Sequence, residues 1–96
     1  MPKGYVIGRA NVTNPTAWAD YAAKAGEAMK KYGGNPIVRG GKMETVEGQG
    51  APRNIVIEFA SFEAAQAYVR SEEYASAKKL RQGAGSLDLV IVEGAP

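Results

Sequence analysis

The sequence predicts an α+β fold of the ferredoxin-like type, with the order β-α-β-β-α-β, a four-stranded antiparallel sheet and two helices on one face. Three observations predict it. Two amphipathic helical patterns alternate with short runs rich in β-branched residues. A glycine-rich segment joins the two middle runs as a hairpin. A chain of 96 residues is also the size of one domain with one core, so residues 1–96 are expected to form a single domain.

The first strand and the first helix follow from alternation and from a cap. Period-two alternation over Gly4–Val12 predicts a strand. Asn14 and Pro15 are residue types that favour the N-cap and the first turn of a helix, so we expect a helix from Pro15 to about Tyr32, ended by Gly33. One predicted strand face carries Tyr5, Ile7, Arg9 and Asn11, and the other carries Val6, Gly8 and Ala10.

The middle of the chain predicts the hairpin. Asn35–Glu47 is apolar at first and alternates later, so we expect a second strand that bends at Gly40 and Gly41. Gly48–Pro52 is rich in turn formers. Arg53–Phe59 is the most strand-like run of the chain and is expected to pair with the second strand.

The last third predicts a broken helix and a final strand. Ser61 is placed to cap a second helix, and Ser71, followed by two glutamates, favours a break and a fresh start. This helical region is expected to stop near Gly83, and Leu87–Glu93 is the fourth predicted strand. The third and fourth strands are apolar on both sides, which predicts a homodimer joined through its sheet faces.

Composition excludes several classes of function. The chain has no cysteine and no histidine, which removes the usual zinc, haem and iron–sulfur ligand sets, and we expect neither a metal nor a cofactor. The 12 basic and 10 acidic residues are mixed along the chain, which argues against a nucleic-acid partner. No glycine cluster precedes a helix in a phosphate-binding pattern. With no membrane-length or signal-like apolar run, a cytoplasmic location is the expectation.

Several segments together resemble the DUF1330 family, a domain of unknown function in the dimeric α+β barrel superfamily. They are GGNPIVRGG and KMETVEG, then RNIVIEF, SFEAAQAYVRSEEYASAKKLR and the terminal VIVEG. The resemblance extends from Gly4 to Gly94 and implies the ferredoxin-like fold and a homodimer whose two sheets form a barrel. It implies no reaction, although the superfamily includes cofactor-independent monooxygenases, small isomerases and haem enzymes. Tyr32 stands where the family pattern often has histidine, so a role that needs imidazole there is not implied.

Glu58 is the candidate catalytic residue, because it is a carboxylate inside an apolar strand and must be paired or shifted in pKa. It is interpreted either as a general base or anchor in the pocket between sheet and helices, or as a structural partner of Arg9 or Arg39. Arg39, beside the glycine doublet, is a candidate to hold an anionic group in a cavity or a carboxylate across the dimer interface, and Arg9 is a further candidate substrate-binding residue. Arg81 is interpreted either as a residue of the pocket mouth or as a solvated helix-end charge.

The aromatic residues complete the candidate set. Tyr21, Tyr74 and Trp18 lie at helical spacing, which is typical of core packing as well as of a pocket lining. Two functions therefore remain open. One is the binding of a small apolar or aromatic, anionic metabolite in the sheet–helix cleft, with proton-transfer, isomerase or cofactor-free oxygenase chemistry. The other is a non-catalytic dimerisation or binding module.

Overall fold

The protein is an α+β fold built on one antiparallel sheet. The computed structural model describes residues 2–96. Its four strands are β1 (Gly4–Val12), β2 (Asn35–Arg39), β3 (Arg53–Phe59) and β4 (Gly85–Glu93). They lie in the order β2-β3-β1-β4, and every neighbouring pair is antiparallel.

Three helices accompany the sheet: α1 (Pro15–Lys31), α2 (Phe62–Val69) and α3 (Glu72–Lys79). Each starts at the predicted cap, because Asn14, Ser61 and Ser71 accept a hydrogen bond from a backbone N–H of the first turn. The predicted break at Ser71 divides the second helical region into two separate helices, so the fold has three helices and not two.

The prediction for β2 is wrong beyond Arg39. Gly40 and Gly41 have positive φ angles of 71° and 99°, and they end the strand instead of bending it. The alternating residues of 43–47 find no partner strand, because β3 begins only at Arg53 and pairs with Asn35–Arg39. Residues 40–52 therefore form an irregular connection between β2 and β3.

The helices cover one face of the sheet, but they do so unequally. α2 packs directly on the sheet, whereas α1 makes its main contacts with α3. Phe59 and Val6 are fully buried, and the Phe59 ring stacks on Tyr68 of α2 with 5.4 Å between centroids. Because α1 is held by α3 more than by the sheet, space is left between α1 and the strands. None of the helices in residues 2–96 is long and apolar enough to cross a membrane.

The strand register separates the two faces of the sheet. Val6 pairs with Ile57 on the helix-covered face, and Tyr5 pairs with Glu58 on the other, uncovered face. The uncovered face carries one aliphatic residue from each strand in a single cross-strand row. This row, the apolar belt, consists of Val38, Val56, Ile7 and Val90.

Candidate ligand-binding site

A cavity of about 550 Å³ lies between α1 and the sheet. Trp18, Tyr21 and Met29 of α1 line one wall, and Ile55 and Ile57 of β3 line the opposite wall. Further apolar lining comes from β1, β4 and the two later helices, through Val6, Leu87, Leu89, Tyr68 and Tyr74. A concave site of this size with mainly apolar walls and a few polar groups is typical of small-molecule binding.

Two glycines lie in the walls of this cavity. Gly8 stands on the sheet wall, where a Cβ atom would come within 3.1 Å of the Leu89 side chain. Gly26 stands on the α1 wall, and a Cβ atom there would meet nothing within 4 Å. A glycine in a helix interior costs about 0.5–1 kcal/mol relative to alanine. Gly26 therefore carries a stability cost at a position where a side chain would occupy the cavity.

Tyrosine hydroxyls supply the polar groups on the helical side. The Tyr21 and Tyr74 hydroxyl oxygens are 2.9 Å apart, and the Tyr68 hydroxyl donates to the Ala25 carbonyl at 3.4 Å. In the Tyr21–Tyr74 pair one hydroxyl donates to the other, and the accepting hydroxyl keeps its own hydrogen. No other residue in the described part of the chain accepts that hydrogen. The pair can therefore donate one hydrogen bond to a bound oxygen atom.

These tyrosines are donors and not bases. Burial, followed by the hydrogen bond with Tyr74, raises the pKa of Tyr21 well above its ordinary value. Burial, followed by the nearby Tyr74, likewise raises the pKa of Tyr68. Both hydroxyls stay protonated at neutral pH, so this side of the cavity stabilises negative charge on a ligand by hydrogen bonding.

Two arginines mark the β2–β3 end of the cavity. Arg39 and Arg53 both line it and are both exposed to solvent. Neither forms an ion pair with any carboxylate in residues 2–96. Lys30 and Glu27 of α1 also line the cavity, so three cations stand against one carboxylate. This end is suited to a carboxylate, phenolate or enolate oxygen.

The structure brings together four of the predicted site residues, Trp18, Tyr21, Tyr74 and Arg39. Arg53 was missed. It has the same strand parity as Ile55, Ile57 and Phe59, so the alternation of β3 contained the signal that places it on the helix-covered face.

Glu58 and Arg9 do not belong to this cavity, which corrects the prediction for both. They project from the uncovered face, because β1 and β3 pair Tyr5 with Glu58 and Arg9 with Asn54. The Glu58 carboxylate accepts hydrogen bonds from Lys3 Nζ and from the Tyr5 hydroxyl, each at 3.1 Å. Its partners are thus neither Arg9 nor Arg39.

Arg81 also lies outside the cavity lining. Its guanidinium stacks on the Tyr21 ring, 5.0 Å from the ring centroid, at the end of α3. Its Nη1 atom is buried and has no hydrogen-bond partner in residues 2–96, and the same is true of the Trp18 indole nitrogen. Trp18 contacts Tyr21 edge-on at 5.3 Å. Arg81 therefore acts on the site through the position of Tyr21, and not at the cavity mouth as one of its two interpretations held.

The hydrogen bonds that Glu58 accepts make the stability of the fold depend on pH. The hydrogen bond from Lys3, followed by that from Tyr5, holds the pKa of Glu58 below its ordinary value of 4.5. A carboxyl with a lowered pKa in the folded state stabilises that state above pH 4.5, and the effect disappears as the pH falls through the folded pKa.

We therefore expect Glu58→Gln to reduce the free energy of unfolding at pH 7, and we expect this difference from the unchanged protein to shrink at pH 3, below the ordinary pKa of 4.5. Denaturant unfolding of both proteins at the two pH values measures it. A difference in the free energy of unfolding that is equal at pH 7 and at pH 3 would contradict the ion pair between Lys3 and Glu58. Glu58→Gln is also expected to leave ligand binding in the α1–sheet cavity unchanged, because the residue lies on the opposite face.

Family membership is decided by a comparison that spans nearly the whole chain. The sequence profile of DUF1330, described as a domain of unknown function, matches residues 3–95. The chain belongs to the DUF1330 family. No curated protein matches it. DUF1330 proteins share a sequence signature, but no reaction is assigned to the family.

Solved structures share the fold of this DUF1330 protein. A protein of unknown function from Rhodopseudomonas palustris is 17% identical, with a TM-score of 0.79 over 99% of this chain and 84% of that one. SnoaB, a cofactor-independent oxygenase from Streptomyces nogalater, is 7% identical, with a TM-score of 0.69 over 100% of this chain and 96% of its own. An EthD-family protein from Bacillus halodurans is 14% identical, with a TM-score of 0.60 over 99% and 100%. At these identities the likeness concerns the fold alone.

Proposed function

We propose that this protein binds a flat, largely apolar compound with one anionic group in the cavity between α1 and the sheet. The observation that carries the proposal is the pair of unpaired guanidinium groups, Arg39 and Arg53, at one end of an otherwise apolar cavity. The ligand's ring system packs against Trp18 and the β3 isoleucines, and its anionic group lies at the arginines. A second oxygen atom accepts a hydrogen bond from the Tyr21–Tyr74 pair.

The second element of the proposal is cofactor-free chemistry on the bound compound. SnoaB is a cofactor-independent oxygenase with the same fold, which supports this chemistry by analogy. The cavity has protonated tyrosines and two guanidinium groups, all of which stabilise an enolate or phenolate form of a ligand. A compound that loses its proton to water is held as the anion without a dedicated base in the cavity. Transfer of electrons from this anion to molecular oxygen places one oxygen atom on a ring carbon as a carbonyl and releases the other as water, whereas return of a proton from water at another carbon gives the isomer.

The protein is also proposed to act as a homodimer that buries the uncovered face of the sheet. The apolar belt gives this face a central row of aliphatic side chains, of which Val38 and Val90 are 41% and 54% exposed in the single chain. Arg9, Asn54 and Asp88 flank the belt on one side, as in the polar rim of an interface, and the row on its other side mixes Glu58 with Tyr5 and Val92. The ligand cavity lies on the other face of the sheet, so both cavities of a dimer stay accessible.

A matched pair of probes tests the binding proposal. 2-Naphthoate and its neutral analogue 2-naphthamide have nearly the same shape and differ in charge. Isothermal titration of the unchanged protein is expected to give a dissociation constant for the acid about tenfold or more below that for the amide, because a guanidinium–carboxylate contact contributes more than a neutral hydrogen bond. Equal affinity for both, or no binding of either, would contradict the proposal.

The same titrations separate an enzyme from a binding module. Incubation of the bound acid and of ionisable ring ketones under air, with product analysis by mass spectrometry, tests for added oxygen or isomerisation. Binding without any product supports the alternative of a non-catalytic binding module. Product formation that requires oxygen and no added cofactor supports the oxygenase chemistry.

A further inference from the structure

The irregular connection between β2 and β3 has the form of a projecting arm, here defined as residues 40–50. Its base is fixed by a 2.9 Å hydrogen bond from the Gly40 N–H to the Asn54 carbonyl. Near its tip Gly48 takes a φ of 74°, and Gly50 approaches the Thr45 side chain so closely that a Cβ atom would clash. The arm is thus folded on itself. This segment includes Gly40, Gly41 and the VEG of residues 46–48, parts of the family signature that do not line the ligand cavity.

The arm makes little contact with the rest of its own chain. Every residue from 41 to 50 is exposed, including two apolar side chains, Met43 at 43% and Val46 at 82%. No backbone N–H of residues 41–50 donates a hydrogen bond to an acceptor within residues 2–96. These exposed apolar side chains and solvent-facing amides are free to contact a partner.

A gap of about 490 Å³ separates the arm from the uncovered face of the sheet. One wall is the arm from Gly40 to Glu47, and the other consists of Arg9, Val38 and Asn54. Val38 is part of the apolar belt, so the gap continues the face that the proposed homodimer buries.

We propose that a second copy of this chain enters this gap, so that each arm of the dimer clasps the partner's sheet. The inference rests on the homodimer proposed above and adds the arm as its clamp. Charge supports a self-complementary contact. Arg9 and Asp88 on the uncovered face have no ion-pair partner within residues 2–96, and Glu44 and Glu47 on the arm have none either. Opposite charges that are unpaired in one copy are available to pair across a twofold axis.

The area of the uncovered sheet face also favours an interface that includes the arm. Four strands about 4.8 Å apart, with seven residues rising about 3.3 Å each, give a flat face of roughly 19 by 23 Å. Each partner in a standard interface buries about 800 Å² of accessible surface. The arm enlarges the contact beyond the sheet and wraps its edge, which raises the buried area of a small domain.

The test compares dimer dissociation constants, measured by analytical ultracentrifugation over a dilution series. Met43→Ser combined with Val46→Ser removes the apolar surface of the arm without touching the sheet or the ligand cavity. This double variant is expected to raise the dissociation constant about 10- to 50-fold, as loss of two interface side chains does. The control is Leu80→Ser, an exposed apolar residue at the end of α3, which is expected to leave it unchanged.

Hydrogen exchange gives a second readout that does not depend on a variant. The arm amides are expected to exchange about tenfold or more slowly at a concentration where the chain is dimeric than after dilution to monomer, because partner contact buries unpaired N–H groups. A double variant that dimerises like the unchanged chain, or arm amides equally unprotected at both concentrations, overturns the arm while leaving the dimer. A chain that is monomeric at every concentration overturns both. Neither outcome alters the naphthoate titrations, which test the cavity independently.

Discussion

Replacing Arg39 and Arg53 together by glutamine is expected to weaken 2-naphthoate binding by about 30- to 150-fold, which corresponds to about 2–3 kcal/mol. The physical reason is that a hydrogen bond to a charged group contributes about 1.5–3 kcal/mol, and solvent exposure of both arginines places their combined effect at the lower end. Glutamine keeps a polar side chain of moderate length, so the change removes charge more than shape. The measurement is isothermal titration at low salt and again at high salt.

The neutral probe and a distant arginine are the controls for this variant. 2-Naphthamide is expected to bind the double variant within about twofold of its affinity for the unchanged protein, because its contacts are mainly apolar. Arg70→Gln, at the exposed end of α2, is expected to leave both affinities unchanged. If Arg70→Gln weakened the acid as much as the double variant, the effect would be one of overall charge and not of the site.

Val56→Asp is expected to raise the dissociation constant of the dimer by about 100-fold or more, because it places an unpaired carboxylate from each copy in the centre of the apolar belt. Burying a charge without a partner costs several kcal/mol, and a twofold interface contains the substitution twice. In the separate chain the side chain is only partly buried on an uncovered face, so a folded monomer is the expected product.

Val56→Thr is the matched control, since threonine keeps the β-branched shape and adds only a hydroxyl. It is expected to change the dimer dissociation constant by less than about tenfold. Circular dichroism of the aspartate variant distinguishes a folded monomer from an unfolded chain. A Val56→Asp protein that stays dimeric with the affinity of the unchanged chain would show that the uncovered face is not the interface.

Local sequence signals predict most elements of this fold. Alternation placed β1 at Gly4–Val12, and the caps at Asn14, Ser61 and Ser71 fixed three helix starts. Local signals do not predict the end of β2, because residues 43–47 alternate between apolar and polar types as a strand does. Whether such a run forms a ladder depends on a partner strand opposite it, which β3 does not provide beyond Arg53.

In the candidate site, too, local sequence patterns predict some positions, and contacts between distant segments decide the others. Tyr21 and Tyr74 lie on the buried sides of their helices, as helical periodicity predicts. The sequence of β3 does not predict which face of the sheet Glu58 occupies, because this strand is apolar on both sides. Only the register of β3 with β1 decides it. Arg39 and Arg53 meet at one end of the cavity through the pairing of β2 with β3, a contact between distant segments.

The central claim is that the cavity between α1 and the sheet is the ligand site, and titration of two Gly26 variants with 2-naphthoate tests it most directly. Gly26→Ala is expected to stabilise the fold by about 0.5–1 kcal/mol and to keep binding within about threefold, because one methyl group fills little of the cavity. Gly26→Leu is expected to fold as well as the unchanged protein and to bind about tenfold or more weakly, since its side chain occupies the space of the ligand. A folded Gly26→Leu protein that binds 2-naphthoate as tightly as the Gly26→Ala protein would contradict the claim.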